Sequence, residues 1–146
     1  LAEPDAQIIS VDLPGGQFGG GYSEKSLPFF ESFRGPDQRL DCIRGSSHDN
    51  DIREEFRRSL DGAELDFLFI DGDHSYDGVK QDFEFYSQFV RKGGQIAFHD
   101  IYHREKQPEI EVHKLWAELK PKFRHTEFIE AGEERRKIGI GLLYKD

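Results

Sequence analysis

The sequence predicts an α/β fold: a Rossmann-like, mostly parallel sheet with helices on both faces and an antiparallel hairpin at the C-terminal end. Three observations carry this reading. Two apolar runs, Phe67-Leu68-Phe69-Ile70 and Gln95-Ile96-Ala97-Phe98, flank a segment with helical periodicity. Each run stops at a group of carboxylates and histidines, Asp71-Gly72-Asp73-His74 in one case and His99-Asp100 in the other. Further on, residues 125–129 and 138–144 read as strands joined by the charged turn 133–137, the pattern of an antiparallel pair.

Each element follows from local chemistry. Residues 6–11 form a first strand ending at Asp12, followed by a glycine-rich loop over 15–21. Residues 26–33 read as a short helix broken by Gly35-Pro36. Residues 39–44 make a second strand, less apolar and so nearer a sheet edge, ending in Gly45-Ser46-Ser47-His48-Asp49. A helix over 51–60 turns Ile52, Phe56 and Leu60 inward. Phe67-Leu68-Phe69-Ile70 has no polar residue to face water, so it is expected to be buried on both faces. Val79, Phe83, Tyr86 and Val90 recur at helical spacing, Ser75 or Asp77 can cap that helix, and Gly93-Gly94 ends it before the next strand. Right-handed crossover makes the two strands parallel, and open α/β sheets bind ligands beyond the C-terminal ends of such strands. Val112, Leu115, Trp116 and Leu119 form one face of a last helix over 110–123.

Composition narrows the function. The 146 residues suit one domain, 1–146, with a real core. Twenty basic residues against 29 acidic ones give a net charge of −9, which argues against nucleic acid or an anionic membrane surface as the partner and favours a small molecule. The single cysteine, Cys42, excludes an internal disulfide and fits a reducing, cytoplasmic setting. No run has the apolar length of a membrane span. The chain starts Leu-Ala-Glu-Pro without a methionine anywhere, as a piece of a longer protein would.

Asp71, His99 and Asp100 form the leading constellation. Carboxylates with an imidazole suit a divalent ion, and the histidine moves preference from magnesium toward manganese, iron, cobalt or zinc. The plainer reading makes Asp71 a cap and His99 a strand-end hydrogen-bonding group. Asp73 is either another ligand or a loop-ordering acid. His74 can serve as a general base on a metal-acidified hydroxyl, since its unperturbed pKa is near neutrality, or simply as a helix-start hydrogen-bonding group. Asp12 stands where α/β folds grip the hydroxyls of a ribose, and Ser47, His48 and Asp49 can reach an adenine or cap a helix. The loop 15–21 lacks the spacing of a phosphate cradle and reads as a mobile lid. His103, His113 and His125 read as surface or helix-flank residues.

In order along the chain, these pieces resemble class I S-adenosylmethionine-dependent methyltransferases. The nearest pattern is the family with an IDGDHSYEGVKxD signature and a GGxIxxHD strand, related to metal-dependent small-molecule and sugar O-methyltransferases. Here the signatures read Ile70-Asp-Gly-Asp-His-Ser-Tyr-Asp-Gly-Val-Lys80 with Asp82, and Gly93-Gly-Gln-Ile-Ala-Phe-His-Asp100. The resemblance runs from Ala6 to the terminal hairpin. It implies that Asp12 binds the cofactor ribose, that Ser47 and His48 lie near its adenine, and that Asp71 opens the acidic loop beside the transferred methyl. In metal-dependent relatives the positions of Asp71, His99 and Asp100 hold magnesium, with Asp usual where this chain has His99, and the position of His74 resembles a general base. The family's first strand and its E-x-G-x-x-x-G loop would precede Ala6 and are absent here. They would leave a gap filled by an omitted segment, by direct pairing of the strands ending at Asp12 and Asp71, or by another subunit.

The expected function is metal-assisted methyl transfer from S-adenosylmethionine to an oxygen of a small hydroxylated acceptor. A non-catalytic remnant or oligomerising module and a metal-dependent hydrolase are the alternatives.

Overall fold

A computed structural model describes residues 3–15, 21–129 and 138–146. The expected lid at 15–21, apart from its two ends, and the turn 133–137 lie outside the described residues. The chain divides into two compact units, Leu1–Ala63 and Glu64–Asp146. Among the described residues no helix is long and apolar enough to cross a membrane.

In the first unit, β1 (Gln7–Asp12) pairs in parallel with β2 (Arg39–Arg44), aligning Asp12 with Arg44. Between them, α1 is only Leu27–Glu31, shorter than the expected 26–33, and a 3-10 turn over Glu24–Ser26 leads into it. The helix α2 (Asn50–Leu60) lies against both strands, with Phe56 and Leu60 buried as their spacing predicts. It ends where Asp61 turns left-handed at φ 51° and donates its N–H to Arg57 O. Ser59 fastens this helix to the sheet, its Oγ donating to Asp41 Oδ2 at 2.6 Å while Gln7 Nε2 donates to Ser59 O at 2.8 Å.

The second unit is a four-stranded sheet in the order β3-β4-β6-β5, from β3 (Leu65–Ile70), β4 (Val90–Phe98), β5 (Arg124–Ile129) and β6 (Gly139–Tyr144). As predicted, β3 and β4 run parallel through a crossover helix, α3 (Tyr76–Tyr86), and β5 with β6 forms an antiparallel hairpin. The other helix is α4 (Val112–Leu119). Ile96, Phe98 and Leu143 on one sheet face meet Val79 of α3 and Val112, Leu115 and Trp116 of α4 in a single core. Phe98 joins the layers, with ring centroids 5.7 Å from Phe83 and 5.9 Å from Trp116. Full burial of such a side chain contributes roughly 1.5–3 kcal/mol. Only glycine fits at position 141, where a Cβ would lie 2.7 Å from the Trp116 ring.

Three sequence expectations need correction. The run in β3 is buried on one face only, with Phe67 and Phe69 exposed by 53% and 46%. Among the described residues β3 ends the order of its sheet, and α3 and α4 share the opposite face. Val90 opens β4 rather than completing α3, because the helix stops at Tyr86 and a 3-10 turn over Ser87–Phe89 redirects the chain. The glycine pair lies within β4, in the irregular stretch between the Leu65↔Val90 and Phe67↔Gln95 pairings. Finally, α4 stops at Leu119 instead of running to Phe123, because Pro121 permits only a 3-10 turn over Lys120–Lys122.

The buried Trp116 donates through Nε1 to Glu127 Oε1 at 2.6 Å, and Lys120 Nζ adds a contact at 3.1 Å. The Trp116 bond, opposed by burial and reinforced by Lys120, holds the Glu127 carboxyl below its ordinary 4.5. A depressed folded-state pKa gives stabilisation that is complete above the unfolded pKa and fades as pH falls through the folded one. Glu127→Gln should therefore cost about 1 kcal/mol in urea unfolding at neutral pH and almost nothing at about pH 3. Equal losses at both pH values would contradict this.

Candidate functional site

The candidate site grows from the parallel pairing of β3 and β4. Ile70 aligns with Phe98, and His99 N–H donates to Ile70 O at 3.1 Å, so Asp71 and His99 leave neighbouring strands at the same level. Asp71 Oδ1 then stands 3.2 Å from His99 Nδ1.

The turn after β3 returns His74 to this point. Ser75, one of two expected caps, accepts from Gly78 N–H at 3.1 Å, and Asp73 Oδ1 accepts from Ser75 N–H at 2.8 Å. Asp73 therefore orders the loop. The loop also needs glycine at position 78, where a Cβ would come within 2.2 Å of Asp73 Cγ. Glu111, just before α4, braces the turn twice: its N–H donates to His74 O at 2.8 Å and its Oε2 accepts from Tyr76 N–H at 3.1 Å. His74 is thereby held with Nε2 3.1 Å from Asp71 Oδ1 and Nδ1 3.3 Å from Asp100 Oδ2.

Asp100 sits deepest, 3% exposed, in the left-handed region at φ 58°. Its Oδ1 forms an ion pair with the guanidinium of Arg104, whose other arm donates through Nη1 to Gln107 Oε1 at 2.7 Å. All four expected residues, Asp71, His74, His99 and Asp100, thus meet at one corner. Donor atoms of Asp71, His74 and His99 lie within 4.8 Å of one another. His99 Nδ1 is buried and makes no hydrogen bond, although Asp71 Oδ1 is 3.2 Å and Asp100 Oδ2 3.4 Å away. Carboxylate oxygens crowded around an imidazole nitrogen without hydrogen-bond alignment fit a shared cation, so the residues present are chemically suited to a divalent ion.

In the first unit, Asp12 ends β1, and its Oδ1 accepts from Leu13 N–H at 2.8 Å. It borders a cleft of about 350 Å³ whose walls include Ser10, Tyr22, Phe30, Leu40 and Cys42. One carboxylate beside a largely apolar wall is the usual make-up of a small-molecule pocket. Burial first, with Cys42 and Asp12 adding to it against a hydrogen bond with Ser10, pushes the Tyr22 hydroxyl up to about 12, so it stays protonated there. Ser47 and His48 follow β2 as expected but do not line this cleft. Ser47 O accepts from Arg53 Nε at 2.9 Å, and His48 N–H donates to Ser46 Oγ at 3.2 Å.

Sequence reasoning missed Arg104 and Glu111. The only trace of the first was an Arg four residues beyond an Asp in a loop, a spacing without meaning outside a helix. His103 and His113, read as surface or helix-flank groups, face each other with ring centroids 4.5 Å apart, and burial followed by His103 holds the His113 imidazole below its usual value.

In the Arg104–Asp100 pair the carboxylate is buried and the guanidinium largely shielded, at 4% and 14% side-chain exposure. Arg104→Ala leaves an uncompensated carboxylate and should cost about 3 kcal/mol in denaturant unfolding. Adding Asp100→Asn to Arg104→Ala should recover part of that loss, and a further loss would show that the pair is not what stabilises this loop.

A profile described as Methyltransferase domain matches residues 2–101. The uncharacterized protein R132 of Acanthamoeba polyphaga mimivirus is 42% identical over 57 residues, covering 38% of this chain and 26% of that protein. Among solved structures, the MycE methyltransferase of the mycinamycin biosynthetic pathway, in complex with Mg, SAH and mycinamycin VI, aligns with a TM-score of 0.54 at 15% identity, covering 95% of this chain and 44% of that one. The O-methyltransferase TomG of Streptomyces achromogenes, involved in tomaymycin synthesis and solved with SAM, gives 0.58 at 12% identity over 96% of this chain and 62% of its own. The Bacillus cereus O-methyltransferase in complex with SAH gives 0.57 at 16% identity over 97% and 74%. At such identities the shared property is the fold. The chain spans only 26% of the viral relative and 44% of MycE. With the profile running from the start of the first unit through the whole β3–α3–β4 corner, this chain belongs to the methyltransferase domain family.

Proposed function

We propose that the chain belongs to an enzyme that transfers a methyl group from S-adenosylmethionine to an oxygen of a small hydroxylated acceptor, with a divalent ion assisting. The observation that carries this reading is the corner of Asp71, His74, His99 and Asp100 at the C-terminal ends of two parallel strands in a methyltransferase-family chain. The fold's resemblance to O-methyltransferases solved with SAM or SAH supports the donor, and Mg in MycE supports an ion. The matched residues 2–101 run across both units, which supports reading the chain as one methyltransferase domain. The lone thiol, Cys42, suits a reducing, cytoplasmic setting.

In this reading Asp12 accepts hydrogen bonds from the cofactor's ribose hydroxyls, with Ser47 and His48 beside the adenine. Asp71, His99 and Asp100 would hold a divalent ion, which would supply the charge that acidifies the acceptor hydroxyl. The acceptor oxygen attacks the methyl carbon in line with the sulfur. The new O–CH₃ bond forms as the S–CH₃ bond breaks, S-adenosylhomocysteine leaves, and His74 takes up the hydroxyl proton as general base.

The test combines calorimetry with S-adenosylmethionine and transfer of a labelled methyl group to simple catechol and sugar probes. The protein should bind the cofactor and methylate at least one hydroxylated probe. Asp12→Ala should weaken cofactor binding by about tenfold or more, the loss of one charge-assisted contact. Binding that ignores Asp12 would contradict its assigned role.

A second reading rests on the exposed Phe67 and Phe69 of β3, which suit burial against another copy of the chain in a non-catalytic, oligomerising module. Concentration-dependent self-association without cofactor binding would favour that reading. Cofactor binding by a monomer would exclude it.

A further inference from the structure

We propose that the ion centre of this chain is a two-histidine, one-carboxylate site made by Asp71 Oδ1, His74 Nε2 and His99 Nδ1. It is selective for a borderline ion such as manganese, iron, cobalt or zinc over magnesium. Asp100 is not a ligand in this arrangement but the group that orients His74. The proposal rests on the ion-assisted reading above and reassigns His74 from proton acceptor to ligand.

Distances come first. Ligand atoms about 2.1 Å from a common ion, at tetrahedral or right angles to one another, stand about 3.0–3.4 Å apart. Asp71 Oδ1 is 3.1 Å from His74 Nε2 and 3.2 Å from His99 Nδ1, both inside that window, and all three ligand atoms lie within 4.8 Å of one another. His99 Nδ1 is buried without a hydrogen bond, an arrangement that a bound cation would relieve.

Asp100 is held by an ion pair, although its Oδ1 makes no hydrogen bond. Its Oδ1 is paired with the Arg104 guanidinium, and its Oδ2 faces His74 Nδ1 at 3.3 Å. A nearby guanidinium repels a divalent ion, so direct coordination by Asp100 would have to displace a buried ion pair. Without an ion, His74 Nε2 hydrogen-bonds Asp71 Oδ1; an ion would replace that proton, and Asp100 Oδ2, 3.3 Å from Nδ1, is the carboxylate placed to take up Nδ1–H in the bound tautomer. This is the usual carboxylate–histidine–metal relay. Arg104 and Glu111 are positioning residues in this scheme: Arg104 holds Asp100, while Glu111 holds the backbone of His74 at 2.8 Å. Two imidazoles among three ligands also settle the chemistry of the ion, since magnesium prefers an all-oxygen shell and imidazole favours later first-row ions.

The test is direct binding of metal alone to the purified protein, by calorimetry with Mg, Mn, Co and Zn and by the visible spectrum of the cobalt form. Circular dichroism checks the fold of each variant, and S-adenosylmethionine binding is measured on the same samples. Wild-type protein should bind cobalt or zinc about 100-fold or more tighter than magnesium. His74→Ala should weaken cobalt binding by about 100-fold and alter the cobalt bands, whereas Asp100→Asn should cost only about tenfold and leave the bands in place. Should His74→Ala misfold, His74→Gln serves the same comparison. Magnesium binding as tight as that of cobalt, or His74→Ala neutral with Asp100→Asn abolishing binding, would overturn the assignment while cofactor binding persists. Loss of cofactor binding in otherwise metal-competent wild type would instead count against the methyltransferase reading.

Discussion

Everything at the candidate site depends on one backbone register, the parallel pairing of β3 and β4. Ile70 opposite Phe98, sealed by the bond from His99 N–H to Ile70 O at 3.1 Å, puts an acidic residue and a histidine side by side as the chain leaves the sheet. Side chains alternate across a strand, so a slip of one residue would turn His99 to the other face and send Phe98 out of the core. Phe98 has no exposure at all and touches both α3 and α4 through aromatic contacts. The packing that stabilises the second unit is therefore also what fixes the chemistry at its edge.

A second constraint is electrostatic. Asp100 is nearly inaccessible to water, and a buried carboxylate must be neutralised or paired. Arg104 does this on one oxygen and His74 faces the other. The result is a graded corner: a guanidinium and carboxylate inside, two imidazoles next, and the exposed Asp71 outermost, with 42% of its side chain accessible.

Much of this architecture was readable from sequence, because it rests on local periodicity and abrupt changes of polarity. The spacing of Ile52, Phe56 and Leu60 gave α2 to within a residue of its start, and the two apolar runs marked β3 and most of β4. Asp71, His74, His99 and Asp100 stood out because each pair ends a strand with charge. Partnership was less readable. Nothing in an apolar run tells whether one or both of its faces will be covered, and Phe67 and Phe69 prove exposed. Val90 fitted the helical spacing of α3 and was claimed by β4, where pairing with Leu65 buries it to 1% exposure. Arg104 and Glu111 reach the corner from a loop and a helix start, 33 and 40 residues after Asp71 in sequence, and no periodicity links such positions.

The central claim is that three ligand atoms from two strand ends converge on one cation. Anomalous diffraction from crystals soaked in manganese tests it most directly. The expected result is a single peak about 2.1–2.2 Å from Asp71, His74 and His99 together, with Arg104 still on Asp100. A peak bound to Asp100 with His74 turned away, or no peak at this corner, would contradict the account.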